Sequence, residues 1–326
     1  MSKLSELPDN EFATLYTTIG PTAIAERFGN GNIRNVHAHR AKVEHRLGVT
    51  LRSPIFRGTL AMDAADELRP ESPEVHLPMK DGVVIVASDG HYWPGQVSTA
   101  HRALVKVIDD LKPRAVIFNG DALDGASIGR HPPIGWEHSP TLENELDEVK
   151  KRLGELQQAG GRKCRYIWPL GNHDARFNMR LAALTPEFRN VAGTRLTHHF
   201  PEWEPCWLVE VGGPTGAMVK HRFKGGVHAT HNNTVAAGRT LVTGHLHSLK
   251  VTPYTDYNGT RWGVDCGCIA APRGPQFNYS ERNPSNHRAG FAVLTWKGGE
   301  LLWPELVAVS DEAKGLVQFR GEVIRV

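Results

Sequence analysis

Long apolar runs are missing from this 326-residue chain, and no stretch approaches the roughly 20 residues that cross a bilayer as a helix. That excludes a helical membrane protein. The opening Met1-Ser2-Lys3-Leu4-Ser5-Glu6 has no apolar signal core, so a cytoplasmic protein with no membrane partner is expected. Cysteine is scarce: four residues, at 164, 206, 266 and 268. Cys266-Gly267-Cys268 has the spacing of neither a zinc pair nor a disulfide framework, so buried reduced thiols are expected. Charge of one sign is also lacking, with 38 Lys and Arg against 35 Asp and Glu. A net +3 permits an anionic partner without demanding one. There is no internal repeat and no low-complexity tract.

The chain begins with a helical stretch. Asp9 can cap a first helix through Tyr16, Gly20-Pro21-Thr22 starts a second, and Gly29-Asn30-Gly31-Asn32 makes a turn of residues that accept positive φ. A third helix follows from Ile33 to Leu47, with Ile33, Val36, Val43 and Leu47 on one face and Arg34, His37, Arg40 and Lys42 on the other. Short helix, turn and basic helix is helix-turn-helix order. Residues 1–62 carry eight Lys or Arg against five acids, an excess equal to that of the whole protein. This segment is read as an all-α helix-turn-helix domain that contacts DNA through Arg34, His37, Arg40 and Lys42, or else mediates assembly. Residues 48–62 form a short extension or β-wing, and polar, proline-rich residues 63–82 form a linker. A catalytic domain spans 83–326. It opens with strand 83–88, a helix near 97–111, strand 114–119, a helix near 142–158 and strand 164–169, followed by a helix over 175–184. This alternation predicts an α/β layered core. After Arg195 the pattern turns strand-rich, which predicts a second, largely antiparallel sheet, with Lys297-Gly298-Gly299 as a hairpin turn.

The chemistry gathers in four fragments: Asp89-Gly90-His91, Gly120-Asp121-Ala122-Leu123-Asp124, Gly171-Asn172-His173-Asp174 and Gly244-His245-Leu246-His247. Each follows a short apolar run, such as Val83–Val86 or Ala115–Phe118, so each should lie on the loop that leaves a buried strand. Hard carboxylate oxygens mixed with neutral imidazoles suit divalent first-row metals.

In this order the fragments resemble the signature of calcineurin-like metallophosphoesterases, over roughly residues 83 to 310. The resemblance implies a four-layer α-β-β-α sandwich of two packed mixed sheets and a pair of divalent cations. Mn2+ is foremost, with Mg2+, Fe2+, Ni2+ or Zn2+ as substitutes. It implies that Asp89, His91 and His247 hold one metal, that Asp121 bridges, and that Asn172, His221 and His245 hold the other. His221 ends an apolar run and is preferred to its neighbours His228 and His231, although Arg222 follows it where the family usually has glycine. His173 is implied as general acid with Asp124 as its orienting partner, and a metal-bridging hydroxide as the in-line nucleophile. Arg130, His131 and Arg176 follow the motifs closely enough to approach a phosphate. Tyr92 and Trp93 flank the first motif and could stack a base.

Two neighbours of the motifs narrow the substrate. Protein Ser/Thr phosphatases of this superfamily carry arginines where this chain has Gly125 and Leu170. The whole chain looks most like phage or prophage, repair-exonuclease-like phosphoesterases, working in a bacterial cell or an infected host. A phosphodiesterase or nuclease acting on DNA or nucleotides is therefore expected. The alternatives are a small-molecule phosphomonoesterase and a DNA-binding or assembly protein with secondary phosphoesterase activity.

Overall fold

The computed structural model describes residues 4–28, 32–51, 73–129, 139–213, 215–280 and 285–326. They fall into two compact units divided between residues 65 and 66. Residues 52–62 of the short extension or β-wing expected over 48–62 and the first half of the 63–82 linker lie outside the described residues, as do Arg130 and His131.

The N-terminal unit is three helices, α1 (Asp9–Thr18), α2 (Gly20–Phe28) and α3 (Ile33–Leu47). Phe12, Tyr16, Ile24, Ala25, Val36, Val43 and Leu51 form its core. Two sequence expectations are corrected here. Asp9 does not cap α1; Pro8 stands at that position, and Asp9 lies in the first turn, taking a bidentate pair from Arg46 at 2.6 and 2.7 Å. Ile33 is exposed, because α3 buries Val36 and Val43 and Ile33 sits at its first turn, off that packed stripe. Asn32 caps α3 by accepting from Arg34 N, and Gly48 closes it in the left-handed region.

The second unit begins earlier than its first motif. Residues 74–77, expected in a linker, form β1 (Glu74–Leu77) and pair in parallel with β6 (Leu208–Val211). Val75 and Leu77 alternate inward along it, a burial that the prolines on either side do not prevent. In chain order come β2 (Gly82–Ala87), α4 (Thr99–Leu111), β3 (Ala115–Phe118), α5 (Leu142–Gly160), β4 (Arg165–Pro169), α6 (Asp174–Leu184) and β5 (Glu204–Cys206). After β6 follow β7 (Ala217–Val219), α7 (Ala229–Ala237), β8 (Thr240–Thr243), β9 (Lys250–Asp256), β10 (Gly259–Asp265) and β11 (Gly290–Lys297). The chain ends with β12 (Glu300–Leu301), β13 (Glu305–Asp311), β14 (Leu316–Phe319) and β15 (Glu322–Arg325).

Two mixed sheets pack face to face. One runs β15-β14-β13-β11-β2-β3-β4-β5 and the other β1-β6-β7-β8-β10-β9. The apolar runs explain the layering. Val84, Val86 and Ile117 point into the core between the sheets, whereas Ile85, Val116 and Phe118 point into the core under α4 and α5. A strand buried on both faces must be apolar at every position, and β2 and β3 are. Helix α4 presents Ala100, Ala103, Leu104, Val107 and Ile108 at helical spacing, and burying a Leu or Ile there contributes about 1.5–3 kcal/mol. Helix α7 covers the other sheet, touching β8, β9 and β10, so the layers read α-β-β-α.

The second sheet is not the largely antiparallel one that the strand-rich half suggested. β1–β6, β7–β8 and β8–β10 pair in parallel, and the C-terminal strands return to the first sheet. The run Phe291-Ala292-Val293-Leu294 has no alternation, so it needs cover on both faces and finds it beside β2, with Ala292 opposite Val86. Lys297-Gly298-Gly299 does turn the chain: Trp296 faces Leu301 across a hairpin with φ of 64° and 91° at the two glycines.

Candidate metal centre

All four fragments leave the carboxyl ends of strands β2, β3, β4 and β8, and His221 follows β7. Parallel pairing of β2, β3 and β4 in one sheet, and of β7 and β8 in the other, sets these loops side by side. The turns are tight. Of the eight non-glycine residues with positive φ among the described residues, five are Asp89, His91, Asp121, His245 and His247. Each such backbone costs roughly 1–2 kcal/mol and persists because it aims a side chain inward. The motif glycines make room for those side chains. A Cβ on Gly171 would sit 2.0 Å from Asp121 Oδ1, and one on Gly244 would sit 2.0 Å from Ser88 Oγ and 2.7 Å from Asp89 Oδ2.

Two ligand groups result. Asp89, His91 and His247 offer atoms that all lie within 4.8 Å of one another, as do Asp121, His221 and His245. A third group, His91, Asp121 and His173, shares His91 with the first and Asp121 with the second, and so joins them. In detail, His247 Nε2 is 2.9 Å and His91 Nε2 3.8 Å from Asp89 Oδ1, and His221 Nε2 is 3.1 Å from Asp121 Oδ2. Asp89 Oδ2 accepts from Ser88 Oγ and from His245 N. His221 Nδ1 donates to Asn119 O at 2.7 Å, which leaves Nε2 as the free lone pair. His228 and His231 are both exposed, one before α7 and one within it, and neither joins a group.

The set fits a pair of divalent cations on its own geometry. His91 Nε2, His221 Nε2 and Asn172 Oδ1 are buried and make no hydrogen bond. Unsatisfied buried acceptors are uncommon in folded proteins. Two of them face carboxylates, His91 Nε2 at Asp89 and His221 Nε2 at Asp121, and carboxylate oxygen with imidazole nitrogen is a donor set for a first-row divalent ion. Burial alone would lower the pKa of His91, but its hydrogen bond to Asp124 and the nearby Asp89 carboxylate raise it to about 10. For His221 the charges of Asp121 and Asp89 likewise outweigh burial and raise it to about 9. Burial pushes Asp89 and Asp121 upward, yet the facing imidazoles hold both carboxyls below the ordinary range.

His173 stands at the start of α6, half-buried. Its Nδ1 is 2.8 Å from Asp124 O and 3.2 Å from Asp124 Oδ1, and its ring lies 4.5 Å edge-on to His91. Arg176 donates to Asp124 O at 2.8 Å and to His173 Nε2 at 3.0 Å. These partners place the His173 proton on Nδ1. Tyr92 is buried with its hydroxyl 3.0 Å from His101 Nδ1, so it is not free to stack a base. Trp93 is half-buried and lines a cavity of about 130 Å3 beside His91.

Residue reasoning missed three supports. Asp174, quoted only as part of its motif, accepts from Asp121 N, Gly171 N, Leu123 N and Trp168 Nε1, tying the second and third loops together. Asking where the loop N–H groups find partners would have pointed to it. Asn119 orients His221 and donates from Nδ2 to Lys220 O. His287 packs its ring 4.5 Å from His247, and burial, with His247 beside it, pushes its pKa down to about 4. No motif marks it.

No family model matches the chain, and no curated protein does. Among solved structures, vacuolar protein sorting 29 from Cryptosporidium parvum is similar at a TM-score of 0.41 and 13% identity, over 76% of this chain and 100% of that one. Zinc-complexed Vps29 from Entamoeba histolytica scores 0.38 at 13% identity, covering 74% and 98%. A dimetal phosphatase from Danio rerio scores 0.36 at 10% identity, covering 76% and 98%. Likeness at this level assigns no activity to the chain.

Proposed function

We propose that the chain is a dinuclear-metal phosphoester hydrolase of the calcineurin-like type, cleaving phosphodiesters of nucleic acid or nucleotides. The observation that carries this reading is the position of Asp121: its carboxylate lies with His221 and His245 on one side and with His91 and His173 on the other, and His91 in turn belongs with Asp89 and His247. A bound pair of divalent cations supplies Lewis acidity toward phosphoryl oxygens and acidifies water. Asn172 completes the second set with its unpaired Oδ1. Mn2+ is the first candidate.

The remaining roles fall to the chain's own groups. His173 faces the ligand cluster and would protonate the leaving oxygen from Nε2 as the imidazolium, with Nδ1–H kept on Asp124. Nε2 must first take a proton from solvent, which requires that Arg176 give up its present contact there. Arg176 is then free to take a phosphoryl oxygen, the bidentate partner that a guanidinium fits best. Asp124 holds the His91 and His173 rings in place. In the N-terminal unit Arg34 and Lys42 are exposed and available to DNA phosphates, His37 is exposed but touches the Tyr16 hydroxyl, and Arg40 is committed to Glu44 and Tyr16. Among the described residues no helix is long and apolar enough to cross a membrane.

The test compares bis(4-nitrophenyl) phosphate, 4-nitrophenyl phosphate and DNA as substrates with Mn2+, Mg2+ or Ni2+ added, using Asp121→Asn as control. Metal-dependent turnover of the diester and of DNA supports the reading. Turnover of the monoester alone overturns the diesterase assignment, and no turnover above D121N overturns the hydrolase.

A further inference from the structure

Between Glu210 and Asp256 the chain has no Asp or Glu but five Lys or Arg: Lys220, Arg222, Lys224, Arg239 and Lys250. In a protein with nearly balanced charge, an acid-free run of this length is a local departure. It also surrounds His221, on the side of the centre where His245 is exposed. Arg239 is occupied by Glu210 and Gly213 O. Lys220, Arg222 and Lys224 have no carboxylate partner among the described residues, and Arg222 and Lys224 are exposed. Between them stands Phe223, 44% exposed, with the ammoniums of Lys220 and Lys224 at 5.3 and 5.7 Å from its ring centre.

The loop that displays these groups is held at both ends. Asn233 on α7 is buried and clasps Lys224 twice, its Oδ1 accepting from Lys224 N at 3.2 Å and its Nδ2 donating to Lys224 O at 2.9 Å. Lys250 Nζ donates to Val227 O at 3.0 Å, and Asn119 Nδ2 donates to Lys220 O at 3.1 Å. Exposed cations on a tethered backbone lose little conformational freedom when they bind, which favours a rigid track over a general basic surface. Cations spaced along a loop with an aromatic ring among them match a nucleic-acid strand, whose phosphates recur and whose unpaired bases offer a face. A small monoester has no flanking phosphates for such a track to hold.

We propose that the Lys220–Val227 loop is a preformed track for a single-stranded polynucleotide, with Lys220, Arg222 and Lys224 on phosphates that flank the scissile one and Phe223 against a base. This rests on the phosphodiesterase reading above and names its substrate class. Duplex DNA, an acidic protein and an anionic membrane are the competing partners. A duplex hides its base faces, and nothing in the loop but charge would recognise the other two.

The experiment is fluorescence anisotropy of a labelled oligothymidylate with the full chain in EDTA, which prevents turnover, titrated with salt. Each phosphate contact on a single strand contributes about 0.7 to the slope of log affinity against log salt, so K220A/R222A/K224A should flatten that slope by about 2. Phe223→Ala should weaken binding roughly tenfold, the order expected for one lost base stack. The contribution of residues 1–62 is the same in each protein and drops out of the comparison. R222E/K224E, altered at exposed positions alone, repeats the test if the triple variant does not fold; it should bind at least tenfold more weakly. Wild-type slope and affinity in these variants overturn the track. So do variants that lose affinity for duplex DNA or for anionic phosphatidylserine vesicles by as large a factor as for the oligonucleotide. Hydrolysis of bis(4-nitrophenyl) phosphate by the wild type with Mn2+ is measured alongside. If the diester is cleaved and no oligonucleotide is bound, the track is wrong and the hydrolase stands. Oligonucleotide binding with no hydrolysis of any diester overturns the hydrolase and leaves the track standing.

Discussion

The Asp124 carboxylate stands closer to His91 than to His173, with Oδ1 2.9 Å from His91 Nδ1 and 3.2 Å from His173 Nδ1. His91 is a ligand candidate whose Nε2 faces Asp89, so Asp124 fixes which nitrogen of His91 is free for a cation. The family resemblance implies a role for Asp124 toward the acid alone; the geometry divides it between acid and ligand. Removing an outer carboxylate of this kind typically weakens metal binding 10–100-fold. Asp124→Asn should therefore raise the Mn2+ dissociation constant by that factor in a calorimetric titration as well as slow turnover. Unchanged metal affinity with lost turnover would confine Asp124 to His173.

Asp174 should matter more for folding than its place beside His173 suggests. Its two oxygens accept from four donors, three of them backbone N–H groups of the metal loops. Asp174→Ala strands all four in a buried place, which should cost roughly 3–5 kcal/mol. Asp174→Asn should recover part of this, since one oxygen remains while the new amide N faces a donor. Urea unfolding of the three proteins measures both steps; equal midpoints for wild type and D174A would refute the account.

Much of this site was legible because the ligands are local in sequence. Gly120-Asp121 and Gly244-His245-Leu246-His247 each follow a four-residue apolar strand, and a tight turn at its end is written in the glycine. The same logic located the α/β alternation through β4. What failed depended on distant partners. That Phe291–Leu294 lies beside β2 is decided by which edge is open, not by the run itself. Strand β1 reads as a linker because Pro73 and Pro78 flank only four residues, and its pairing with β6 crosses more than a hundred residues of chain. Arg176 carried a phosphate-contact signal, but its grip on His173 depends on a backbone carbonyl that sequence does not display.

Glu145 should give the protein a pH-dependent stability unrelated to catalysis. It lies fully buried on α5, with Oε1 accepting from Ala126 N and Oε2 without a partner. Burial, then the nearby Asp124 charge, raises its pKa to about 7. The folded state thus binds the proton more tightly than the unfolded chain. Its stabilising share is complete below the unfolded value near 4.5 and is lost as pH rises toward 7. A rise of this size corresponds to roughly 3 kcal/mol at most. Glu145→Gln keeps the acceptor and removes the titration. Relative to wild type it should be near neutral at pH 4.5 and clearly more stable at pH 8 by urea midpoint. A difference that does not change with pH would sink the assignment.

Metal loading should be visible as stability before any substrate is known. The candidate ligand atoms converge only when β2, β3, β4, β7 and β8 are assembled, so the proposed cation pair should favour the folded chain over the unfolded one. A ligand at a hundred times its dissociation constant then adds about 2.7 kcal/mol per site. For a domain of this size that corresponds to a rise in Tm of roughly 5–10 °C per site. Mn2+ in place of EDTA should produce such a rise in the wild type. Asp121→Asn should abolish most of it, because Asp121 belongs both to the second group and to the one that joins it to the first, whereas His245→Ala, at the exposed edge of the second group, should remove only part. Equal Tm in Mn2+ and EDTA would remove the dinuclear centre from consideration, and a full effect surviving in D121N would remove Asp121 from its bridging place.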